Sequence, residues 1–158
     1  MEEKDIKTVK TTRGELRYYR DGDYDGVICM LNAQTIGRYK EIKNQHPEID
    51  DYGVWWAFSN EQFARGRQHA IKIGKLNPDD KICHGGAGLY GTSEAIKSFY
   101  AAYHKRDELI PKECDPQEVY FYEYNNHECM ISWDGDKDAY KIVVEYWGEE
   151  VASKIKRL

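Results

Sequence analysis

A strand pattern and a helix start follow one another in Gly53-Val54-Trp55-Trp56-Ala57-Phe58-Ser59-Asn60-Glu61-Gln62-Phe63. The segment Gly53–Phe58 is short, rich in aromatic residues and bounded by turn-forming residues. This pattern predicts a strand buried on both faces. Ser59, with Gln62 three residues later, has the form of a capping box and predicts a helix that ends before Gly74. We therefore expect strands and helices to lie side by side in this protein.

Two hairpins are predicted on either side of this stretch. Glu15–Arg20 alternates apolar and polar residues and is followed, after a loop, by Val27–Leu31, which is typical of an antiparallel pair. Val119–Tyr124 and His127–Trp133 flank Asn125-Asn126, and Asn tolerates the positive φ of a tight turn. Antiparallel pairing is expected at both places.

Apolar residues at helical spacing predict four further helices. The first is capped by Asn32 and runs to about Gln45, and the second is capped by Thr92 or Ser93 and includes Tyr103. The third begins at Asp134 or Asp136 and is closed by Gly148, and a short terminal helix covers Val151–Ile155. Strands arrive mainly as hairpins, and helices stand between them without regular alternation. This pattern predicts an α+β fold, in which an antiparallel or mixed sheet with hairpins is covered by about four to five helices. Because no repeat or linker interrupts the chain, we expect residues 1–158 to form a single globular domain.

Composition narrows the class of protein. The chain of 158 residues has 41% hydrophobic and 32% charged residues, which is typical of a small soluble domain. No apolar run reaches the roughly 20 residues of a membrane span, so no membrane association is expected. The charged start Met1–Asp5 leads into no apolar segment, which predicts a cytoplasmic protein. A net charge of −5, with 23 basic and 28 acidic residues interspersed, argues against general nucleic-acid binding.

The aromatic residues are biased toward tyrosine and tryptophan. The chain has 13 Tyr and 4 Trp against 4 Phe. Tyr and Trp combine a large apolar face with a polar tip, and they are favoured at protein interfaces. The leading hypothesis is a small non-enzymatic interaction protein that uses a Tyr/Trp-rich surface to bind a protein partner or itself as a homo-oligomer. The alternative is that these rings close the core.

A glycine-rich segment, Cys83–Ser93, runs directly into a predicted helix start. Glycines let backbone N–H groups approach a ligand, and a helix N-terminus favours an anion. This favours a second hypothesis, a binder of a nucleotide or other phosphorylated small molecule. The candidate ligand-binding residues are Gly85, Gly86, Gly88, Gly91, Thr92 and Ser93, with Arg65 and Arg67 as counter-charges. The spacing matches neither the Walker loop nor Gly-x-Gly-x-x-Gly, and the structural alternative is a tight turn followed by a helix cap.

The segment Asp21–Asn32 resembles the calcium loop of the EF-hand family. Asp21, Asp23 and Asp25 stand at loop positions one, three and five, and Gly26 stands at position six. The resemblance implies a calcium site, which is a weaker hypothesis. Asn32 replaces the bidentate glutamate, and a predicted strand replaces the preceding helix. The alternative is a polar hairpin loop, and no other cofactor is expected.

Catalytic groups are not predicted. The cysteines are scattered, without Cys-x-x-Cys spacing, and are expected to be free thiols: Cys29, Cys83, Cys114 and Cys129. Cys83-His84 and His127-x-Cys129 place thiols near imidazoles, and His127 and Cys129 are expected to share a strand face. No orienting third group is evident for either pair. Because no catalytic arrangement is evident in the sequence, we expect a binding protein rather than an enzyme. Val54–Phe63 is loosely similar to small domains of phages and mobile elements, a likeness that carries no fold or activity with it.

Overall fold

The computed structural model describes residues 5–22 and 26–158. In chain order, its strands and helices are β1 (Lys7–Thr11), β2 (Gly14–Asp21), β3 (Val27–Met30), α1 (Ile36–Asn44), α2 (Ile49–Tyr52), β4 (Trp55–Trp56), α3 (Asn60–Lys72), β5 (Cys83–His84), β6 (Leu89–Gly91), α4 (Ser93–Asp107), α5 (Leu109–Glu113), α6 (Pro116–Asn126), α7 (Lys137–Trp147) and α8 (Glu149–Ala152). The predicted α+β class is confirmed, with two antiparallel sheets and helices between their strands.

The chain folds into two compact units. Unit 1 contains residues 1–44 and 107–158, and unit 2 contains residues 45–106. Each unit has its own three-stranded sheet and its own apolar clusters. The single globular domain stays a prediction.

The sheet of unit 1 confirms the first predicted hairpin. β2 pairs antiparallel with β3, and Tyr18 lies opposite Met30. β1, which the pattern did not predict, adds a third strand on the other edge of β2. Asn32 was expected to cap the next helix, but its side chain donates to the Glu15 carbonyl and accepts from the Arg17 amide. The helix therefore begins later, at Ile36.

The second predicted hairpin is wrong, because Val119–Tyr124 lies inside a helix. α6 spans Pro116–Asn126, and Cys129–Ile131 forms a 3-10 turn. Asp115 caps this helix and Pro116 occupies its first turn, both of which are helix-start signals. Nearly every residue of α6 is buried, so the helix lacks the polar face that a period of 3.6 requires. A short apolar run of this kind cannot be distinguished from a strand by periodicity.

α6 is the central element of unit 1. One of its faces carries Tyr120 and Phe121 into a cluster with β2, β3 and α7, while Val119 packs with α1 and α5. Its end is tied to the sheet, because the Asn125 side chain accepts from the amide of Ile28 and donates to its carbonyl. The two Asn125 contacts reproduce the pattern of a paired strand residue, so α6 substitutes for a fourth strand at that point.

Asp136 joins α6 and α7 to the end of the chain. Its carboxylate accepts from the Tyr120 hydroxyl at 2.7 Å and from two guanidinium nitrogens of Arg157 at 2.7 and 2.8 Å. The prediction that a helix starts at Asp134 or Asp136 is confirmed. The Asp136 carboxylate, however, accepts hydrogen bonds from side chains and not from the backbone amides at the start of α7.

Acid is expected to weaken the contribution of Asp136. The hydrogen bonds from Arg157 hold the pKa of Asp136 below its ordinary value of 3.8. A carboxyl whose pKa is lower in the folded state stabilises the fold above its unfolded pKa, and this stabilisation is lost as the pH falls through the folded pKa. We expect Asp136→Asn to lower the free energy of unfolding by about 1 kcal/mol at neutral pH, a value limited by solvent screening of the half-exposed Arg157.

Urea unfolding at a series of pH values checks this expectation. The difference between wild type and Asp136→Asn should vanish as the pH is lowered below about 4. A difference that is the same at neutral and acidic pH would show that the charge of Asp136 contributes nothing.

Unit 2 has a sheet with the order β4-β6-β5. On one side, Val54 and Leu89 pack with Ile96 and Phe99 of α4, which confirms the apolar stripe predicted for that helix. In a second cluster, Trp55 packs with Ala70 of α3. The sheet therefore lies between these two helices.

Most aromatic side chains of the described residues are buried or half-buried. Every tyrosine in residues 5–22 and 26–158 is buried or half-buried. The exposed aromatic side chains are Trp56, Phe58 and Trp133. Within these residues, the exposed aromatic side chains are therefore tryptophan and phenylalanine, and the buried tyrosines are Tyr18, Tyr39, Tyr120 and Tyr124. Within the same residues, no helix combines the length and apolar character that a membrane span requires.

Candidate functional site

β4 places two tryptophans on opposite faces of the sheet. Trp55 pairs with Tyr90 and is buried, whereas Trp56 pairs with Leu89 and is 41% exposed. Successive residues of a strand point to opposite faces, which explains the difference. Val54 is buried against α4 and Trp55 is buried against α3, so the strand is covered on both faces, as expected, except at the exposed Trp56.

Phe58 projects from the end of this strand with 78% of its surface exposed. The backbone around it is held firmly, because the Ala57 amide donates to the Gly88 carbonyl and the Phe58 amide donates to the Gln62 side chain at 2.8 Å. Ser59 caps α3, as predicted, by accepting from the amide of Gln62 at 3.2 Å. The capping residues thus position Phe58 as well as the helix.

α3 lies close against Trp55. A Cβ atom at Gly66 would stand 2.2 Å from the Trp55 Cδ1 atom, so only glycine permits this approach. The close contact leaves an open depression of about 500 Å³ beside β4 and α3, which we call the aromatic cleft. Its apolar lining includes Ile49, Val54, Trp55, Trp56, Phe58 and Ile73. Its polar lining includes Asp50, Gln62, Arg65 and His69.

The polar groups of the aromatic cleft differ in how they are satisfied. The His69 Nε2 atom lies 3.0 and 3.1 Å from the two carboxylate oxygens of Asp50. Arg65 is exposed and makes no hydrogen bond or ion pair within the described part of the chain. The Trp55 Nε1–H is buried and has no hydrogen-bond partner among the same residues. The residues that line the cleft therefore include one hydrogen-bonded His–Asp pair and two side chains with unused donors.

A second depression of about 570 Å³, the hairpin pocket, shares Phe58 with the aromatic cleft. Phe63, His84, Gly88 and Tyr90 also line it. The rings of His84 and Tyr90 are stacked, with centroids 4.9 Å apart and planes at 30°. Phe58 thus stands at an edge common to two concave surfaces of unit 2.

The predicted glycine loop is the turn of the β5–β6 hairpin. Three of its backbone donors are used internally: the Gly85 amide donates to the Leu89 carbonyl, the Leu89 amide to the Gly86 carbonyl, and the Gly88 amide to the His84 ring. Gly86 and Gly88 have positive φ, as a tight turn requires. These contacts explain the glycines by turn chemistry.

The remaining predicted site residues are spread over several places. Gly85 and Gly91 are closely approached by Ile96 and Val54, respectively. Thr92 accepts from the amide of Ala95, and Ser93 begins α4.

The predicted arginines also separate. Arg67 donates to the Pro78 carbonyl at 2.6 Å, whereas Arg65 lines the aromatic cleft. Gly88 lines the hairpin pocket instead. Arg65 and Gly88 are the predicted residues that reach these two concave surfaces.

The predicted calcium loop is described only in part. Asp23 and Asp25 lie outside the described residues. Asn32, at the last loop position, uses both ends of its amide on the backbone of β2. Residues 5–22 and 26–158 contain no group of three or more His, Cys, Asp or Glu side chains arranged to hold a metal ion. The calcium site stays a prediction.

The cysteines are free, as expected, and two of them are buried. Burial raises the pKa of the Cys114 thiol to about 11 and also raises the pKa of the Cys129 thiol. His127 and Cys129 were expected to share a strand face, but His127 ends α6 and pairs with Glu123. A protonated, buried thiol is a poor nucleophile, so Cys114 and Cys129 are unsuited to catalysis.

Unit 1 has a depression of about 890 Å³ whose lining includes Lys7, Arg20, Lys156 and Arg157. These residues carry no local sequence signal, because they come from three separate parts of the chain. Arg157 is bound to Asp136, Lys7 lies 3.8 Å from Asp5, and Arg20 stands over the Tyr124 ring. Three of the four cations are therefore already engaged, and the aromatic cleft is the stronger candidate site.

Comparison with known proteins assigns the chain to a family. No curated protein matches the chain, and no solved structure matches it. A family model matches residues 38–151, which is more than half of the chain and includes every residue of the aromatic cleft. The chain therefore belongs to the family of unknown function DUF7659.

Proposed function

We propose that this protein is a non-enzymatic interaction protein that binds a protein partner, or a second copy of itself, through the aromatic cleft of unit 2. The observation that carries this proposal is the exposure of Phe58, 78% of whose surface faces solvent at the edge of a concave apolar surface. Exposed Trp56 and Ile73 line the same cleft. A contiguous exposed apolar surface beside a depression is typical of a binding site.

The rigidity around Phe58 supports the same conclusion. Its amide is held by Gln62, and the preceding residue is held by Gly88. An aromatic side chain presented on a fixed backbone loses little conformational entropy when it binds, and such anchors dominate the energy of many interfaces. Burial of one aromatic ring contributes about 2 kcal/mol, which corresponds to roughly thirtyfold in Kd.

Replacing Phe58 with serine is expected to weaken this association by roughly thirtyfold, because the ring no longer transfers from water to an apolar surface. The melting temperature should stay nearly unchanged, because the side chain is mostly exposed. Sedimentation velocity over a concentration series measures self-association. Cross-linking to a purified partner, once one has been isolated, measures hetero-association.

Trp133→Ser is the matched control. Trp133 is a fully exposed aromatic residue in unit 1 and does not line the aromatic cleft. If Trp133→Ser abolishes association while Phe58→Ser leaves it intact, the aromatic cleft is the wrong surface.

A second candidate function is the binding of a phosphorylated small molecule. It is favoured by the position of Arg65 and Gly88, which line the two depressions that share Phe58. It has less support, because three of the backbone donors of the glycine turn are used within the hairpin. Native mass spectrometry of the purified protein separates the two functions. A retained phosphorylated species supports the second function, and a ligand-free oligomer or protein complex supports the first.

A further inference from the structure

The aromatic cleft contains a buried donor without an acceptor. Trp55 is 4% exposed, and its Nε1–H has no hydrogen-bond partner in the described part of the chain. Nearly all buried polar groups in folded proteins are paired, so an unpaired one calls for an explanation, and a missing ligand is one. Trp55 is one of the residues that line the cleft.

A cation without a counter-charge lines the same cleft. Arg65 projects from α3 and is exposed, and it makes no ion pair in the described part of the chain. The neighbouring basic group, His69, already faces the carboxylate of Asp50. The fixed fork of a guanidinium matches the two oxygens of a carboxylate, and such bidentate hydrogen bonds are among the strongest in proteins.

The remaining walls of the cleft are apolar. Trp56, Phe58 and Ile73 are all more than a third exposed, and they offer apolar surface to an occupant. A ligand that contacts the apolar walls needs an apolar side chain. To pair with the Trp55 N–H and with Arg65, it also needs a carbonyl or carboxylate oxygen and a negative charge. A peptide segment with an apolar residue beside an acidic one carries all three features.

We propose that the aromatic cleft binds an acidic-apolar peptide segment of the partner, an inference that rests on the proposed interaction function. The apolar side chain of the segment contacts Trp56 and Phe58, and its carboxylate pairs with Arg65. A second oxygen of the segment accepts from the Trp55 Nε1–H. That N–H is covered in the unbound chain, so the exposed side chains of the rim rearrange around the segment, a change that is common at interfaces.

Two blocked hexapeptides test this inference. One carries phenylalanine followed by aspartate between glycines, and the other carries asparagine in place of the aspartate. Binding is followed by NMR of the indole N–H signals of the four tryptophans. We expect the acidic peptide to shift the Trp55 Nε1–H signal and to bind about tenfold more tightly than the amide peptide at low salt.

Arg65→Gln is expected to remove the tenfold preference for the acidic peptide and to leave the affinity for the amide peptide unchanged. Lys72→Gln is the matched control, because Lys72 is an exposed cation on the same helix that does not line the cleft. This control should change either affinity by less than about twofold, since its charge is screened by solvent.

The outcomes separate this inference from the proposed function. If both peptides bind equally and Phe58→Ser abolishes their binding, the proposed pairing of the peptide carboxylate with Arg65 is wrong. The aromatic cleft then still stands as the interaction surface. Absence of any shift at the cleft, together with Phe58-dependent association, also overturns the peptide chemistry alone. Absence of both peptide binding and Phe58-dependent association overturns both proposals. If inorganic phosphate shifts the Trp55 signal in an Arg65-dependent manner and the acidic peptide does not, the site takes a phosphorylated ligand and the inference is wrong.

Discussion

Replacing Asp115 with alanine is expected to lower the free energy of unfolding by about 3–5 kcal/mol. Asp115 is fully buried between the first sheet and α6. Its Oδ1 atom accepts from the amides of Gln117 and Glu118, and its Oδ2 atom accepts from the amide and hydroxyl of Thr12. The alanine variant loses the cap of α6 and leaves four donors without this acceptor.

The Asp115 amide is itself bonded, to the Thr35 hydroxyl, which in turn donates to Glu118. The loss of one carboxylate therefore disturbs a connected set of hydrogen bonds, and such sets are more costly to break than isolated bonds. Because of this connection, we expect Asp115→Ala to lower the free energy of unfolding by more than the loss of an ordinary helix cap does.

Urea unfolding followed by far-UV circular dichroism measures the effect. Asp115→Asn keeps one oxygen as a cap acceptor but turns an amide group toward donors. The free energy of unfolding should therefore fall by less in this variant than in the alanine variant. Asp138→Ala removes an exposed carboxylate from the first turn of α7 and should cost no more than about 0.5 kcal/mol. If Asp115→Ala costs as little as Asp138→Ala, the network around Asp115 does not stabilise the fold.

Replacing Gly66 with alanine is expected to destabilise the protein by about 2 kcal/mol, although alanine is the better helix former. Gly66 lies in the middle of α3, where glycine costs about 1 kcal/mol relative to alanine. A Cβ atom there would stand within 3 Å of the Cδ1, Cγ and Cβ atoms of Trp55. Because Trp55 is packed in the core and cannot move aside freely, α3 must shift away from β4.

Gly37→Ala gives the comparison of opposite sign. Gly37 lies in α1, and a Cβ atom added there meets no atom within 4 Å. This variant is expected to be stabilised by up to about 1 kcal/mol. Urea unfolding followed by tryptophan fluorescence reports on both variants. Stabilisation of Gly66→Ala would mean that α3 and Trp55 are not closely packed, and the wall of the aromatic cleft would have to be reconsidered.

Local signals were sufficient for several elements of the fold. The β2–β3 hairpin follows from residue alternation across a turn, and α4 follows from Ile96 and Phe99 at helical spacing. The cap of α3 follows from Ser59 and Gln62. Each of these signals depends on residues only a few positions apart, so the neighbours in the chain are also the neighbours in the structure.

α6 could not be recognised from its periodicity. Its burial on all sides depends on packing against elements that are distant in the chain, such as β3 and α1. Even its charged residues are buried: Glu118 is held by Thr35 and Glu123 by the Tyr39 hydroxyl. An all-round buried helix with polar groups satisfied by distant partners has no amphipathic pattern, which led to the hairpin prediction.

The candidate site shows the same division. Phe58 and the capping-box residues Ser59 and Gln62 lie within the stretch from which the strand and helix were predicted. Their arrangement is local, so the sequence alone places them next to one another. The presence of Arg65 and Trp56 in one cleft and the unpaired indole of Trp55 depend on how α3 and β6 pack against β4. The same is true of the hydrogen bond from the Gly88 amide to the His84 ring. Residue order specifies turns, caps and alternating strands because their hydrogen bonds join near neighbours. Which side chains stay exposed or unpaired is a property of the assembled surfaces, because it depends on contacts between residues that the chain keeps apart.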